Sequence, residues 1–262
     1  MRVLVVLPTY NEAANIAAVL ERVRLALPEA SILVVDDNSP DGTGDIVEKS
    51  AAALEEISLL RRAGKTGLGS AYRDGFRWGL QRGYDVLVEM DSDFSHDPDA
   101  LSSLVAPLAD GYELSIGSRY VPGGSIPDWR LSRRLLSRGG NLYADILLGL
   151  GVKDSTAGYR AYAATLLRRI DLDSVRADSY GFQIEMTYRA LQGDARVTEV
   201  PICFVDRALG TSKMSTYTVV EALLLVTWWG TRRGLVALRR SAATGVGALR
   251  AGSSKWDRGT GP

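Results

Sequence analysis

Several common kinds of site cannot be built from this chain. One cysteine (Cys203) and one histidine (His96) stand among its 262 residues. That excludes an intrachain disulfide and a Cys/His zinc site, and leaves a Ser/His/Asp triad only His96 to use. Any metal site must be made mostly of oxygen ligands. Charge of either sign is not in excess: 31 basic and 31 acidic side chains give a formal net charge of zero. Nothing global therefore recommends a nucleic-acid partner, and none is expected. No apolar run reaches about 18 residues, so no simple transmembrane helix is expected. The longest, Val219 to Trp229, is interrupted by Glu221 and Thr227. Met1-Arg2 leads straight into an apolar run, without the basic–apolar–small order of a secretory leader. A cytoplasmic location is the expectation.

What is present is an ordinary globular mixture, 46% hydrophobic and 24% charged. Short β-rich runs at Arg2–Leu7, Ser31–Asp36, Ile57–Leu60, Asp85–Met90 and Glu113–Gly117 alternate with helical patterns. The helices are predicted near Glu12–Leu27, Asp41–Leu54, Leu68–Arg82 and Asp97–Ala109. In the first, Ile16, Val19, Leu20, Val23 and Leu27 share one face. This alternation predicts βαβ units and a mainly parallel sheet. Further on, the spacing predicts a long Arg-rich helix over Leu131–Leu148, a helix over Tyr180–Gln192 and a strand over Ala195–Val200. Three segments are expected: a single-domain body over 1–215, an amphipathic helix over 216–240, and a disordered Ala/Gly/Ser/Arg tail over 241–262.

In a parallel sheet, ligands bind beyond the carboxyl ends of the strands, and the unusual polar residues fall there. The first strand runs into Pro8-Thr9-Tyr10-Asn11-Glu12, the second into Asp36-Asp37-Asn38-Ser39-Pro40-Asp41-Gly42-Thr43. The fourth ends in Asp91-Ser92-Asp93-Phe94-Ser95-His96 and the fifth in Ser118-Arg119-Tyr120. Two carboxylates two residues apart in one turn suit a hard divalent cation, Mg²⁺ or Mn²⁺, whose shell is completed by substrate phosphates. Asp97 or Ser95 could instead only cap the next helix, as Asp41 is expected to do. Asp37 has no such local role and could accept hydrogen bonds from a nucleobase. Gly64-Lys65-Thr66-Gly67-Leu68-Gly69 lacks the full spacing of a nucleotide-hydrolysing phosphate loop and reads as a tight helix entry. His96, before Asp97-Pro98, reads as a turn residue rather than a general base. Arg130, Arg133, Arg134 and Arg138 lie beside Trp129 and Ser137, and Arg207 and Lys213 follow the last strand. Arginines so placed can grip an anion by forked hydrogen bonds. A dinucleotide oxidoreductase is excluded, because Gly-x-Gly-x-x-Gly is absent after the first strand.

In this order, the motifs resemble family 2 glycosyltransferases of the GT-A fold, and more narrowly the polyprenol-phosphate (dolichol-phosphate) mannose synthases. The resemblance runs from Val3 to Lys213 and includes Gly181-Phe182-Gln183-Ile184-Glu185 and Arg207-x-x-Gly210-x-Ser212-Lys213. It implies an α/β, Rossmann-like GT-A sheet flanked by helices. It implies that Pro8, Tyr10, Glu12, Val35 and Asp37 hold the nucleoside of GDP-mannose. Asp91, Ser92 and Asp93 would face the diphosphate. Asp91 and Asp93 would carry the metal, with Ser95 standing where some relatives have Gln. Arg119 would sit near the acceptor or sugar, Arg133 and Ser137 on the acceptor, and Arg207 and Lys213 on phosphates. The implied reaction inverts the sugar onto a polyprenyl monophosphate. With an acceptor whose second pKa is near ~6, no strong protein base is needed. Tyr217, Val220, Leu223, Leu224, Trp228 and Leu235, followed by Arg232-Arg233 and Arg239-Arg240, could dock on the cytoplasmic face of a membrane, alone or with a membrane-protein partner. Packing of this helix on the body is the competing expectation. The competing functions are the same chemistry from UDP-glucose or a UDP-aminosugar, and a non-catalytic nucleotide-binding scaffold.

Overall fold

The computed structural model describes residues 1–206 and 220–233. Seven strands form one sheet in the order β3-β2-β1-β4-β6-β5-β7. They are β1 (Val3–Thr9), β2 (Ser31–Asp36), β3 (Ile57–Arg61), β4 (Val86–Glu89), β5 (Leu114–Ser118), β6 (Arg160–Ala163) and β7 (Val197–Pro201). Valine, leucine and isoleucine fill β1, β2 and β4 without alternation, because the sheet is covered on both faces. Leu4, Val6, Leu33, Val35 and Leu87 pack on one side with Tyr72 and Phe76 of α3 (Leu68–Gln81) and Phe182 of α7 (Ser179–Gln192). Val5, Leu7, Ile32, Val34 and Val88 pack on the other with α1 (Ile16–Ala26) and α4 (Leu101–Ala109). The remaining helices are α2 (Thr43–Ala53), α5 (Leu131–Leu148), α6 (Ala164–Arg169) and α8 over 220–233.

Three features of the fold correct the sequence reading. Strand β6 was not predicted: it is short and carries an arginine, and it lies antiparallel between β4 and β5. Arg160 is tolerated there, fully buried, because its guanidinium donates to the carbonyls of Ser155, Ala157 and Gln183 and to Thr187 Oγ1. Helix α1 starts at Ile16 rather than Glu12, since Asn11 takes a left-handed φ of 59° and the Glu12 amide bonds Thr43 Oγ1 at 3.0 Å. The stretch read as one helix from Asp97 opens with a 3₁₀ turn, Pro98–Ala100, capped by Asp97.

Strand order reverses direction at β1, which pairs in parallel with both β2 and β4. The crevice of an α/β sheet opens at such a switch point. Ser92 Oγ donates across it to the Pro8 carbonyl at 3.1 Å. Helix α8 packs on the body through Ala222, Val226 and Trp229, with Trp229 stacked on Tyr188. Among the described residues, no helix is long and apolar enough to cross a membrane. Arg207, Lys213, Tyr217, Leu235, Arg239 and Arg240, and the segment boundaries expected near 215 and 240, lie outside the described residues.

Candidate active site

The ends of β1 and β2 are shaped by short-range hydrogen bonds. Asp36 is buried, accepting from Thr9 Oγ1 at 2.9 Å, Ser39 Oγ at 2.6 Å and the Ser39 amide at 3.0 Å. Asp41 accepts from the Thr43 amide and hydroxyl and from the Ala13 amide. It braces the turn before α2 instead of capping the helix as expected, because the N-cap position falls on Gly42 and no side chain caps there. Burial raises the Asp41 carboxyl, but its hydrogen bonds outweigh this and leave the pKa below the usual range. Asp37 is different: its partner is Arg62, with Nη1 at 2.6 Å from Oδ1. Burial pushes the Asp37 pKa up, against the pull of Arg62. Arg62 also reaches Asp74 at 3.1 Å, Ser70 Oγ at 2.6 Å and Thr66. It thereby ties Asp37 to the Gly64–Gly69 turn, from which Lys65 Nζ lies 4.6 Å from the Tyr10 ring centroid. That turn is a helix entry as expected: a Cβ on Gly67, whose φ is +105°, would come within 2.7 Å of the Asp178 carboxylate. Glu12 is buried and accepts from Asn15 Nδ2, while the Val35 side chain packs in the core and leaves only its backbone to a ligand.

The turn after β4 carries the paired carboxylates. Asp91 is partly open to solvent; Asp93 is buried, its Oδ1 accepting from the Ser95 amide at 3.0 Å and hydroxyl at 2.6 Å. Ser95 thus orients Asp93. Tyr72 donates to Asp91 Oδ1 at 3.4 Å. Among the described residues no cluster of three acidic, His or Cys side chains completes a metal cage. Two hard carboxylates in one turn nevertheless fit Mg²⁺ or Mn²⁺, which take most of their shell from water and phosphate. His96, expected as a turn residue, is a buried one. It is 2% exposed, stacked on Tyr159 at 4.8 Å, and its Nδ1 accepts the Asp91 amide at 3.1 Å. Burial lowers its pKa, so the ring is neutral and its proton sits on Nε2. Beneath the turn, burial raises fully buried Glu89 to about 7 despite nearby Arg160. One of its oxygens accepts from Gln183 Nε2 at 2.8 Å.

Beyond β5, Arg119, Arg133 and Ser137, the residues expected at the acceptor, come together around two aromatic rings. The Tyr120 hydroxyl donates to Ser137 Oγ at 2.7 Å. The Arg119 guanidinium carbon lies 5.4 Å from the Tyr120 centroid and 5.3 Å from that of Trp129; Arg133 lies 4.0 Å over Trp129. Arg119 is buried and forked onto Asp154 at 2.7 and 2.6 Å. Arg133 pairs with Asp206 at 2.8 Å. Sequence reasoning missed Arg62, Asp154, Phe204 and Asp206. Phe204 meets the rings of His96 and Trp129 edge-on, both at 5.6 Å, and so joins the carboxylate turn to the arginine cluster. A lone Phe after a strand carries no sequence signal for that role.

The glycosyl transferase family 2 profile matches residues 4–171. An undecaprenyl-phosphate mannosyltransferase of Micrococcus luteus is 53% identical over 230 residues, 88% of this chain and 94% of that protein. A polyprenol monophosphomannose synthase of Mycolicibacterium smegmatis is 50% identical over 88% of each chain. Among solved structures, Mycobacterium tuberculosis glucosyl-3-phosphoglycerate synthase with Mn²⁺ and UDP-glucose superposes with a TM-score of 0.62 at 23% identity, covering 86% of this chain and 78% of that one. A Pyrobaculum calidifontis mannosyltransferase with GDP-Man and Mn²⁺ gives 0.55 at 18%, covering 97% and 79%. These two show the shared fold. With its mostly parallel sheet, switch-point crevice and Asp-x-Asp turn, the chain is a glycosyltransferase that belongs to family 2, within the group of the polyprenol-phosphate mannose synthases.

Proposed function

We propose that the protein transfers mannose, with inversion, from GDP-mannose to the phosphate of a polyprenyl monophosphate. One observation carries this reading. The Asp91–Asp93 turn and the Arg119–Arg133–Ser137 cluster are joined through His96 and Phe204, in a chain half identical to mannose synthases of polyprenyl phosphates. Tyr10, Asp37 and Lys65 are the groups for the nucleoside, with Arg62 holding Asp37 in place. Asp91 and Asp93 would hold the Mg²⁺ or Mn²⁺, which when bound neutralises the departing diphosphate as a Lewis acid. Arg207 and Lys213, close in sequence to Asp206, are assigned to phosphates. The acceptor phosphate is largely dianionic at neutral pH and attacks the anomeric carbon without a protein base. The work left to the chain is to orient it, with Arg119, Arg133 and Ser137, and to stabilise charge. Neutral, buried His96 serves Asp91 rather than the nucleophile.

A lipid acceptor requires a lipid-facing surface. Among the described residues, nine of the twelve large exposed apolar side chains lie on two helices: Leu131, Leu135, Leu136, Leu142 and Ile146 on α5, and Val220, Leu223, Leu224 and Trp228 on α8. The helices touch where the Tyr143 and Thr227 hydroxyls meet at 2.7 Å. Arg130, Arg134 and Arg138 on or beside α5, and Arg232 over Trp228, add cations suited to anionic headgroups. We assign this face to peripheral docking on the cytoplasmic side of the membrane, directly or with a membrane-protein partner. The α8 helix thus packs on the body by one face and offers the other to lipid.

The test is transfer of radiolabel to a polyprenyl monophosphate in detergent with Mg²⁺, from GDP-mannose and UDP-glucose in parallel. Label in the organic phase from GDP-mannose alone is the expected result. Transfer from UDP-glucose alone would retain the chemistry and overturn the donor; no transfer by folded protein from either would overturn the assignment.

A further inference from the structure

The two acceptor-side arginines are both paired with carboxylates, in opposite ways. Arg119 grips Asp154 through Nε and Nη2, and the two side chains are 5% and 0% exposed. Arg133 uses only Nη1, which donates to both oxygens of Asp206 at 2.8 and 3.0 Å, with side chains 29% and 44% exposed. The Nε of Arg133 is buried without a hydrogen-bond partner. The forked grip by which arginine binds carboxylate or phosphate most strongly is therefore not used. Trp129 organises the arrangement: its indole N–H donates to Asp206 Oδ1 at 3.0 Å and its ring lies under the Arg133 guanidinium. Half-exposed ion pairs of this kind are weak and exchange readily.

We propose that Asp206 is a displaceable counter-ion of the acceptor site, holding Arg133 until a phosphate monoester takes its place and reclaiming Arg133 after transfer. This rests on the reading of Arg133 as a ligand of the acceptor phosphate. The charges give the exchange a direction. The acceptor monoester carries close to two negative charges at neutral pH and competes well against one carboxylate. The product is a phosphodiester with a single charge, and against it the tethered carboxylate regains Arg133. Asp206 thereby weakens the hold on either anion, which the dianionic acceptor can bear and the singly charged product cannot, and so assists product release, while buried Asp154 keeps Arg119 fixed throughout.

The test is steady-state kinetics of full-length Asp206→Asn with a short-chain polyprenyl monophosphate and saturating donor, with product inhibition measured by the mannosylated lipid. The acceptor KM is expected to fall about two- to fivefold, the scale of one exposed ion pair. The product inhibition constant is expected to fall by a similar factor, since either ligand must break the same ion pair. Asp206→Glu, which keeps the charge, should restore both values. A folded Asp206→Asn enzyme with both constants unchanged or raised overturns the proposal. Arg133→Gln separates the two levels of failure. If it leaves the acceptor KM unchanged, the reading of Arg133 fails and the counter-ion role with it. If it raises KM while Asp206→Asn lowers nothing, only the counter-ion role is refuted. Should Asp206→Asn not fold, the wild-type protein carrying 5-fluorotryptophan gives the answer, with the Trp129 resonance assigned by Trp129→Phe. That resonance should move with the monophosphate and less with the product; an unmoved resonance overturns the proposal.

Discussion

The carboxylate turns and the arginine cluster of the crevice are made by different means. Each turn is closed by a neighbour in the chain: Ser39 on Asp36, Thr43 on Asp41, Ser95 on Asp93, two or three residues away. Asp37 is the exception among these carboxylates, tied to Arg62 over 25 positions. In the cluster every carboxylate partner is distant: Arg119 to Asp154 over 35 positions, Arg133 to Asp206 over 73, Trp129 to Asp206 over 77. A local turn holds its carboxylate wherever the strand ends. A long-range ion pair exists only once the sheet has brought its halves together. The carboxylate turns should thus keep their shape when distant parts are perturbed, and the arginine cluster should not.

The largest effect that would break this contrast concerns the carboxylate turn. Asp93→Ala should reduce transfer by about 10²–10³-fold or more while circular dichroism and melting stay close to wild type. Normal turnover by the folded variant would remove the metal assignment. Next is Asp154→Ala, which leaves the buried Arg119 charge uncompensated. A loss of about 3–5 kcal/mol is expected in urea unfolding. A loss below about 1 kcal/mol would place Arg119 among solvated cations.

A smaller effect, dependent on pH, lies beneath the turn. Glu89 has its folded-state pKa raised from 4.5 to about 7, so the folded protein keeps a proton that the unfolded chain has released. Its contribution is fully present below about pH 4.5 and is lost as pH rises towards 7. Glu89→Gln cannot ionise and should lack this loss. Its stability relative to wild type should rise by on the order of 1–3 kcal/mol between pH 5 and pH 8. A difference that does not vary with pH would show that Arg160 keeps Glu89 ionised. The smallest effect is at the lipid-facing surface: replacing Leu135, Leu142 and Ile146 together by Gln should leave the melting temperature almost unchanged. Binding to anionic vesicles in a flotation assay should weaken by roughly tenfold. Unchanged binding would move the docking surface elsewhere.

The contrast also governs what could be read in advance. Strand β2 and helix α5 fall where the residue pattern puts them, because apolar periodicity is a local signal. The Asp-x-Asp turn was legible for the same reason. Strand β6 was not, since four residues carrying a buried arginine resemble no strand until α7 supplies the carbonyl that receives it. His96 looked like any polar turn residue; its burial comes from Tyr159 and Phe204, 63 and 108 positions later. Arg62 could have drawn notice only as one of two adjacent arginines after a strand, and Asp154 and Asp206 carry no pattern at all.

By itself the sequence determined the alternation of strands and helices, the carboxylate turn at the end of β4, and the exclusion of zinc, disulfide and dinucleotide chemistry, since each depends on residue types within a few positions. Only the tertiary structure decided which carboxylate answers each arginine, which ring shelters His96, and which face of α8 is left exposed. Those are choices among distant partners, and they are made by burial: a charge or ring withdrawn from water must find its complement wherever the packed sheet has brought one within reach.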